Sequence, residues 1–216
     1  SPQCDGDEKP AMSFYEDRVL PHLINWACST GPQRKQREKI VHLAEGDVLE
    51  VGFGSGLNLP FYDADKVRRI FALEPSEGMR RKAQPNVAAS SLDIEFIDLP
   101  GERIPLDNNS IDTVLVTYTL CTIADAVAAL DGMRRVLKPG GRLIFCEHGA
   151  APDETVRRWQ HRLNGGWSRF AGGCNMNRDI VDLIEGGGFE ITMDERMYIP
   201  GPRMLNYNFW GTARPR

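Results

Sequence analysis

Three glycines on alternate positions, Gly52, Gly54 and Gly56, follow a short apolar run of Val48, Leu49 and Val51. The run reads as a strand buried on both faces. The strand must end in a bare-backbone turn, where glycine permits a sharp reversal and the close approach of a ligand. The N–H groups of such a loop, with a helix N-terminus behind it, suit an anion or another polar ligand. The spacing separates ligand classes. A dinucleotide fingerprint requires G-x-G-x-x-G, and its last glycine would fall where Leu57 stands. This chain has G-x-G-x-G instead, with the acid Glu50 just upstream.

Glu74 closes the next apolar stretch, 66–73. An acid about 20 residues beyond the loop, at a strand terminus, is placed to hold both hydroxyls of an adenosine ribose. Pro75 and Ser76 follow, and Ser76 is the expected N-cap of a helix that carries Met79 and ends or bends at Pro85. Strand patterns recur at 92–99, at Val114 to Val116 and at Arg142 to Cys146. The fourth strand runs into Thr117-Tyr118-Thr119-Leu120-Cys121, and the fifth into Glu147-His148-Gly149. Between them lie an amphipathic helix, 123–137, and a Leu-Lys-Pro-Gly-Gly turn. Residues 57–62 read as a short helix after the glycine loop. A last helix, from 177–179 to about Glu185, precedes two closing strands, Phe189 to Tyr198 and Met204 to Thr212.

The 216 residues are 41% hydrophobic, enough for one domain with a full α/β core. A net charge of −4 gives no basic field for nucleic acid. No apolar run approaches the roughly 20 residues that cross a bilayer. The cysteines are odd in number, scattered and without C-x-x-C, which argues against a metal site or a disulfide framework and for buried thiols in a reduced, cytoplasmic setting. Residues 1–12 are polar and expected to be a disordered tail. A single domain, 13–216, follows. It opens with a helical face of Phe14, Val19, Leu20, Leu23, Ile24 and Ala27, kinked at Pro21 and ended by Gly31-Pro32. A second helix from Gln33 to Ala44 is basic through Arg34, Lys35, Arg37 and Lys39. Two readings stay open for it: a solvated helix face, or a lid, 13–46, from which an arginine or Tyr15 covers a ligand.

Residues 152–177 break the pattern. Val156, Trp159, Leu163, Trp167 and Phe170 sit three or four apart, interrupted by Gly165-Gly166, and Arg157, Arg158, Arg162 and Arg169 line the other side. Such a stripe is core or pocket.

The loop Glu50-Val51-Gly52-Phe53-Gly54-Ser55-Gly56, the run from Gly101-Glu102 to Ser110-Ile111-Asp112 and the Leu-Lys-Pro-Gly-Gly string together resemble class I S-adenosylmethionine (SAM) methyltransferases of the small-molecule type. Leu120-Cys121, Glu147-His148 and Cys174-Asn175 are similar to a branch that contains membrane-anchored animal alkyl-thiol methyltransferases; their hydrophobic N-terminal anchor is not matched here. The resemblance extends from about Phe14 to the C-terminus. It implies a three-layer Rossmann-like α/β fold with a seven-stranded, mostly parallel sheet and an antiparallel last strand. It implies SAM as cofactor, S-adenosylhomocysteine as product and no metal. It also implies that Glu50, Gly52, Phe53, Gly54, Ser55, Gly56, Asn58, Glu74, Pro75, Ser76, Met79, Gly101, Glu102, Thr117, Tyr118 and Leu120 surround the cofactor. The sequence departs from the family in Pro100, which replaces an acid before Gly101, and in Phe53, where Cys or Ala is commoner.

The acceptor is expected to be a small, apolar molecule methylated on a thiol or on another S, O or N nucleophile. A pocket for it would be built from Tyr15 and from Trp159, Leu163, Trp167 and Cys174 of an acceptor-side insertion, 152–177. His148 is the candidate base, since a thiol must lose its proton to act; packing beneath the insertion is its competing role. No Asn/Asp-Pro-Pro-Tyr follows strand four, and no Pro-Cys, so nucleobase methylation is disfavoured. The partner is a small molecule, with no nucleic acid and no membrane anchor, and the chain is a monomer or homodimer. Two other classes remain: a SAM-binding protein without transfer, and a nicotinamide oxidoreductase, against which Leu57 stands.

Overall fold

A computed structural model describes His22, Asn25 and residues 28–216. The tail, Tyr15, Pro21 and most of the first helix therefore lie outside the described residues. The strands are β1 Gly46–Val51, β2 Val67–Leu73, β3 Ile94–Ile97, β4 Ile111–Thr117, β5 Leu137–His148, β6 Phe189–Tyr198 and β7 Tyr207–Pro215. The helices are α1 Gly31–Ile40, α2 Glu77–Ala88, α3 Ala126–Val136, α4 Glu154–Phe170 and α5 Ile180–Gly186. One seven-stranded sheet runs β3-β2-β1-β4-β5-β7-β6. Within it β7 pairs antiparallel with both β5 and β6, while β1 to β5 pair in parallel. This is the expected Rossmann-like arrangement.

Two apolar clusters cover the two faces. Val114, Val116, Leu143 and Phe145 meet Leu130 and Met133 of α3 and Ile180 and Ile184 of α5. Their neighbours in register, Leu115, Ile144 and Cys146, point the other way, with Ile40 at the end of α1 and Ala83 of α2. Alternating side chains on strands buried on both faces make the third layer possible. The strand order reverses between β1 and β4, which opens a crevice beyond their carboxyl ends.

Several local expectations give way to tertiary contacts. After the glycine loop there is only a single 3-10 turn, Leu59–Phe61, in place of a helix. Pro85 does not end α2, which runs to Ala88. Asn86 donates from Nδ2 to the Ser55 carbonyl (2.8 Å) and Val87 packs on the core, so the last turn is held from outside. Gly31-Pro32 begins α1, with Pro32 in the first turn where its missing N–H is harmless. The Pro-Gly-Gly turn lies inside β5 as an irregularity in its pairing with β4. Gly165-Gly166 does not interrupt α4, a continuous helix of 17 residues. Its anchors are amides: buried Gln160 accepts from Ala151 N (2.9 Å) and donates to the carbonyls of Gly149 (3.1 Å) and Met204 (2.8 Å).

Gly211 sits where β7 threads between its neighbours. A Cβ there would lie 1.9 Å from the Met193 carbonyl oxygen and 2.8 Å from Phe145 Cζ. Gly211→Ala should therefore cost about 1–3 kcal/mol of stability; urea denaturation of variant and parent measures it, and an unchanged midpoint would contradict this packing.

Candidate functional site

The crevice at the β1/β4 reversal holds a cavity of about 470 Å³. Its floor is the glycine loop. Gly52 takes φ +75°, and a Cβ on it would lie 2.2 Å from Thr119 Oγ1, so only glycine fits there. Four of the loop's N–H groups are engaged. Gly52 and Phe53 donate to the Leu73 carbonyl (2.9 and 3.1 Å), Gly56 to Phe53 (3.1 Å) and Gly54 to Glu74 Oε2 (2.8 Å). Of the anion or other polar ligand expected here, these bonds leave fewer donors for an anion, because they hold the loop on itself and against the end of β2.

Glu74 is only 6% exposed, and its other oxygen accepts from Ser76 N (2.9 Å). Burial raises its pKa, and the two backbone donors oppose that rise. It lines the cavity with Gly52, Phe53, Gly54, Ser55, Asn58, Pro75, Ser76 and Met79 on the β1/β2 side. Gly101, Glu102, Thr117 and Tyr118 line the other. Ser76 accepts from Met79 N (3.3 Å) as the N-cap of α2. Glu50, Gly56 and Leu120 do not line it. Glu50 lies beneath it, accepting from Asn58 Nδ2 (2.8 Å) and Tyr62 Oη (2.6 Å). Gly56 packs among Leu59, Phe53 and Asn86, and Leu120 is buried, its N–H donating to Glu147 Oε1 (3.0 Å).

The basic helix divides: Arg34, Lys35 and Lys39 are exposed, whereas Arg37 is 4% exposed and lines the cavity with Asn25 and Cys28. Its guanidinium lies over the Tyr118 ring (4.9 Å), and its Nε and Nη1 are buried without a hydrogen-bond partner among the described residues. Asn58 Oδ1 is buried and unpartnered likewise. An orphaned cation and an orphaned acceptor on one cavity wall match the carboxylate and ammonium of an amino-acid group. SAM carries that group, and Glu74 stands where its ribose would lie, so the residues present fit this cofactor. Tyr118 takes φ +53°, a left-handed backbone for a bulky residue, and its hydroxyl donates to Asn208 Oδ1 (2.6 Å). Strain of this kind persists where the surroundings over-determine it.

None of Trp159, Leu163, Trp167 and Cys174, the acceptor residues expected from 152–177, lines the cavity; Trp159 and Leu163 are 48% and 42% exposed on α4. Cys174 and His148 meet: Cys174 Sγ is 3.2 Å from His148 Nε2. The neighbouring Cys121, foremost, and His148 hold the Cys174 thiol well below the ordinary value against the effect of burial. Burial opposes charge on His148, but the Cys174 contact raises its pKa overall. Glu147, fully buried, accepts from Thr119 N (2.7 Å) and Leu120 N (3.0 Å), yet burial pushes it up to about 7. Two of the cysteines, far apart in sequence, come together in space. Cys121 and Cys174 converge on His148 from three separate segments, which a search for C-x-x-C cannot see.

Residues 49–145 match the family described as a methyltransferase domain. The human thiol S-methyltransferase TMT1B is 32% identical over 154 residues, 69% of this chain and 62% of that protein. The mitochondrial methyltransferase OMS1 of Saccharomyces cerevisiae is 28% identical over 215 residues, 88% of this chain and 44% of its own length. The chain thus spans 44% to 62% of the length of these two relatives. A solved SAM-dependent methyltransferase from Thermotoga maritima superposes with a TM-score of 0.63 at 20% identity, covering 92% of this chain and 97% of that one; it bears out the fold.

Burial raises Glu50 to about 7, with Tyr62 and Asn58 opposing the rise. A carboxyl whose pKa is higher folded than unfolded favours the fold at low pH and loses that contribution as pH climbs from the ordinary 4.5 to about 7. Glu50→Gln should flatten the profile. Between about pH 5 and pH 8 the variant should lose on the order of 2 kcal/mol less stability than the parent in urea denaturation.

Proposed function

With residues 49–145 belonging to the methyltransferase domain family, we propose that this chain transfers the methyl group of SAM to a thiol on a small, largely apolar acceptor. One observation carries the cofactor assignment. The amides of Gly52, Phe53, Gly54 and Gly56 are engaged within the protein, while Arg37 and Asn58, which line the cavity, keep unpartnered polar atoms. A pyrophosphate needs free backbone donors. An amino-acid end needs a cation and an acceptor, and this wall offers both. That contrast disfavours a nicotinamide dinucleotide.

Bound SAM supplies a methyl group already activated on a sulfonium. The chain's own residues then bind, align and exclude water. Glu74 has a second lone pair on each oxygen for the ribose hydroxyls. Gly101 lets the chain pass close over Ile123 and Val51, where a Cβ would approach to 2.9 and 3.2 Å. Arg37 and Asn58 orient the amino-acid end, and Tyr118 stands at the end of β4 between the Arg37 guanidinium and the His148 ring.

The thiol assignment has two supports. A relative named as a thiol S-methyltransferase is 32% identical. The three pairs behind that resemblance also lie together: Leu120 N donates to Glu147, Cys174 faces His148, and Asn175 N donates to the Cys121 carbonyl (2.8 Å). Thiolate is the nucleophile of sulfur chemistry. His148, the expected base, faces Cys174 Sγ, and neither residue lines the cavity.

Calorimetry with S-adenosylhomocysteine tests the cofactor, with NAD as the contrasting ligand. S-adenosylhomocysteine should bind and NAD should not. Glu74→Ala should weaken binding by about 10- to 100-fold, the range for losing hydrogen bonds to a charged group. A mass-spectrometric panel of alkyl thiols, amines and phenols then reads the acceptor. Binding without turnover of any thiol would remove the thiol assignment and leave the cofactor assignment standing.

A further inference from the structure

Three segments far apart in sequence meet beside the cavity. Cys121 follows β4, His148 ends β5, and Cys174 lies in the turn between α4 and α5. Cys121 Sγ, Cys174 Sγ and a ring nitrogen of His148 all lie within 4.8 Å of one another, and the Cys174–His148 contact is 3.2 Å. Around a tetrahedral zinc ion, with Zn–S about 2.3 Å and Zn–N about 2.0 Å, donor atoms sit roughly 3.3–3.8 Å apart. The trio therefore needs adjustments on the order of an ångström to close on an ion.

The surrounding bonds fix these donors in place. Asn175 donates from N (2.8 Å) and from Nδ2 (3.1 Å) to the Cys121 carbonyl, so the Cys174 turn is fastened to the Cys121 turn. Asn164 of α4 donates to Asn175 Oδ1 (2.8 Å) and accepts from Met176 N (2.9 Å). Arg178 donates to the carbonyls of Leu120 and Ile123. Glu147 takes the N–H groups of Thr119 and Leu120 from below. His148 Nδ1 is buried without a partner in the described residues, so Nε2 is the ring atom set toward the sulfurs. Two thiols and an imidazole form a soft donor set that selects zinc over calcium or magnesium.

We propose that Cys121, His148 and Cys174 form a zinc site. Three protein donors leave one coordination position, which water or a thiolate fills. Gly172, two residues before Cys174, and Thr119 and Thr122, on either side of Cys121 in sequence, line the cavity, so the site adjoins it. The zinc site stands whichever acceptor the cavity takes.

Cobalt(II) is the probe, because thiolate-to-cobalt charge transfer absorbs in the near ultraviolet. The whole chain, stripped of metal and kept reduced, is titrated with cobalt and then with zinc. The parent should develop the band with one equivalent and lose it to zinc. Cys121→Ser and Cys174→Ser should each weaken cobalt binding more than about 100-fold, beyond the range for disturbing an outer partner of a metal ligand. Cys146→Ala is the control: that thiol lies in β5 in the other apolar cluster, and its loss should leave the band intact. The parent titration needs no variant to fold. A parent that yields no band, or only a Cys121–Cys174 disulfide on mass analysis, overturns the site, as does a band that survives in both serine variants.

Discussion

The carboxylate of Glu74 is the contact on which the site rests. One of its oxygens takes the Gly54 amide and the other takes the Ser76 amide, so the loop after β1 and the turn after β2 are fastened to a single side chain. The Leu73 carbonyl adds the amides of Gly52 and Phe53. These bonds close the loop against the sheet and turn its face toward the cavity. They also withdraw the Gly52, Phe53 and Gly54 donors from an anion. One geometry thus sets both the shape of the floor and which of its amides are taken.

The neighbourhood of this floor is energetically expensive. Glu50 and Glu147 are buried acids, each held near 7 by desolvation. Arg37 is a buried cation with incomplete hydrogen bonding, and Tyr118 keeps a left-handed backbone. Groups of this kind are costly unless something pairs with them. Their concentration at the β1/β4 reversal marks the place where stability gives way to binding. Elsewhere the layers follow ordinary rules, with apolar side chains alternating across the sheet and helices covering both faces.

Much of this was legible from residue order alone. Val48 to Val51 and the alternate glycines placed the first strand and its turn, Glu74 fell at the end of the second strand, and β6 has the predicted limits. Those signals are local: periodicity, glycine and capping act within a few residues. The misreadings arose where distant contacts outweigh local preference. Asn86 carries α2 past Pro85 by bonding to Ser55. Gln160 and Asn164 hold α4 through amides, leaving Trp159 and Leu163 half-exposed where a stripe of apolar residues promised a pocket. Arg37 looked like one of four similar basic residues; only its place against Tyr118 sets it apart. The meeting of Cys121, His148 and Cys174 has no signature in spacing, because the chain folds between them twice.

The insertion of β7 between β5 and β6 has a consequence for biosynthesis. The sixth strand leaves the ribosome before the seventh, which is its hydrogen-bonding partner. Until the seventh strand follows, one edge of the nascent sheet ends at β5 and the sixth strand lacks its partner. A chaperone that shields an open strand edge would act in that interval.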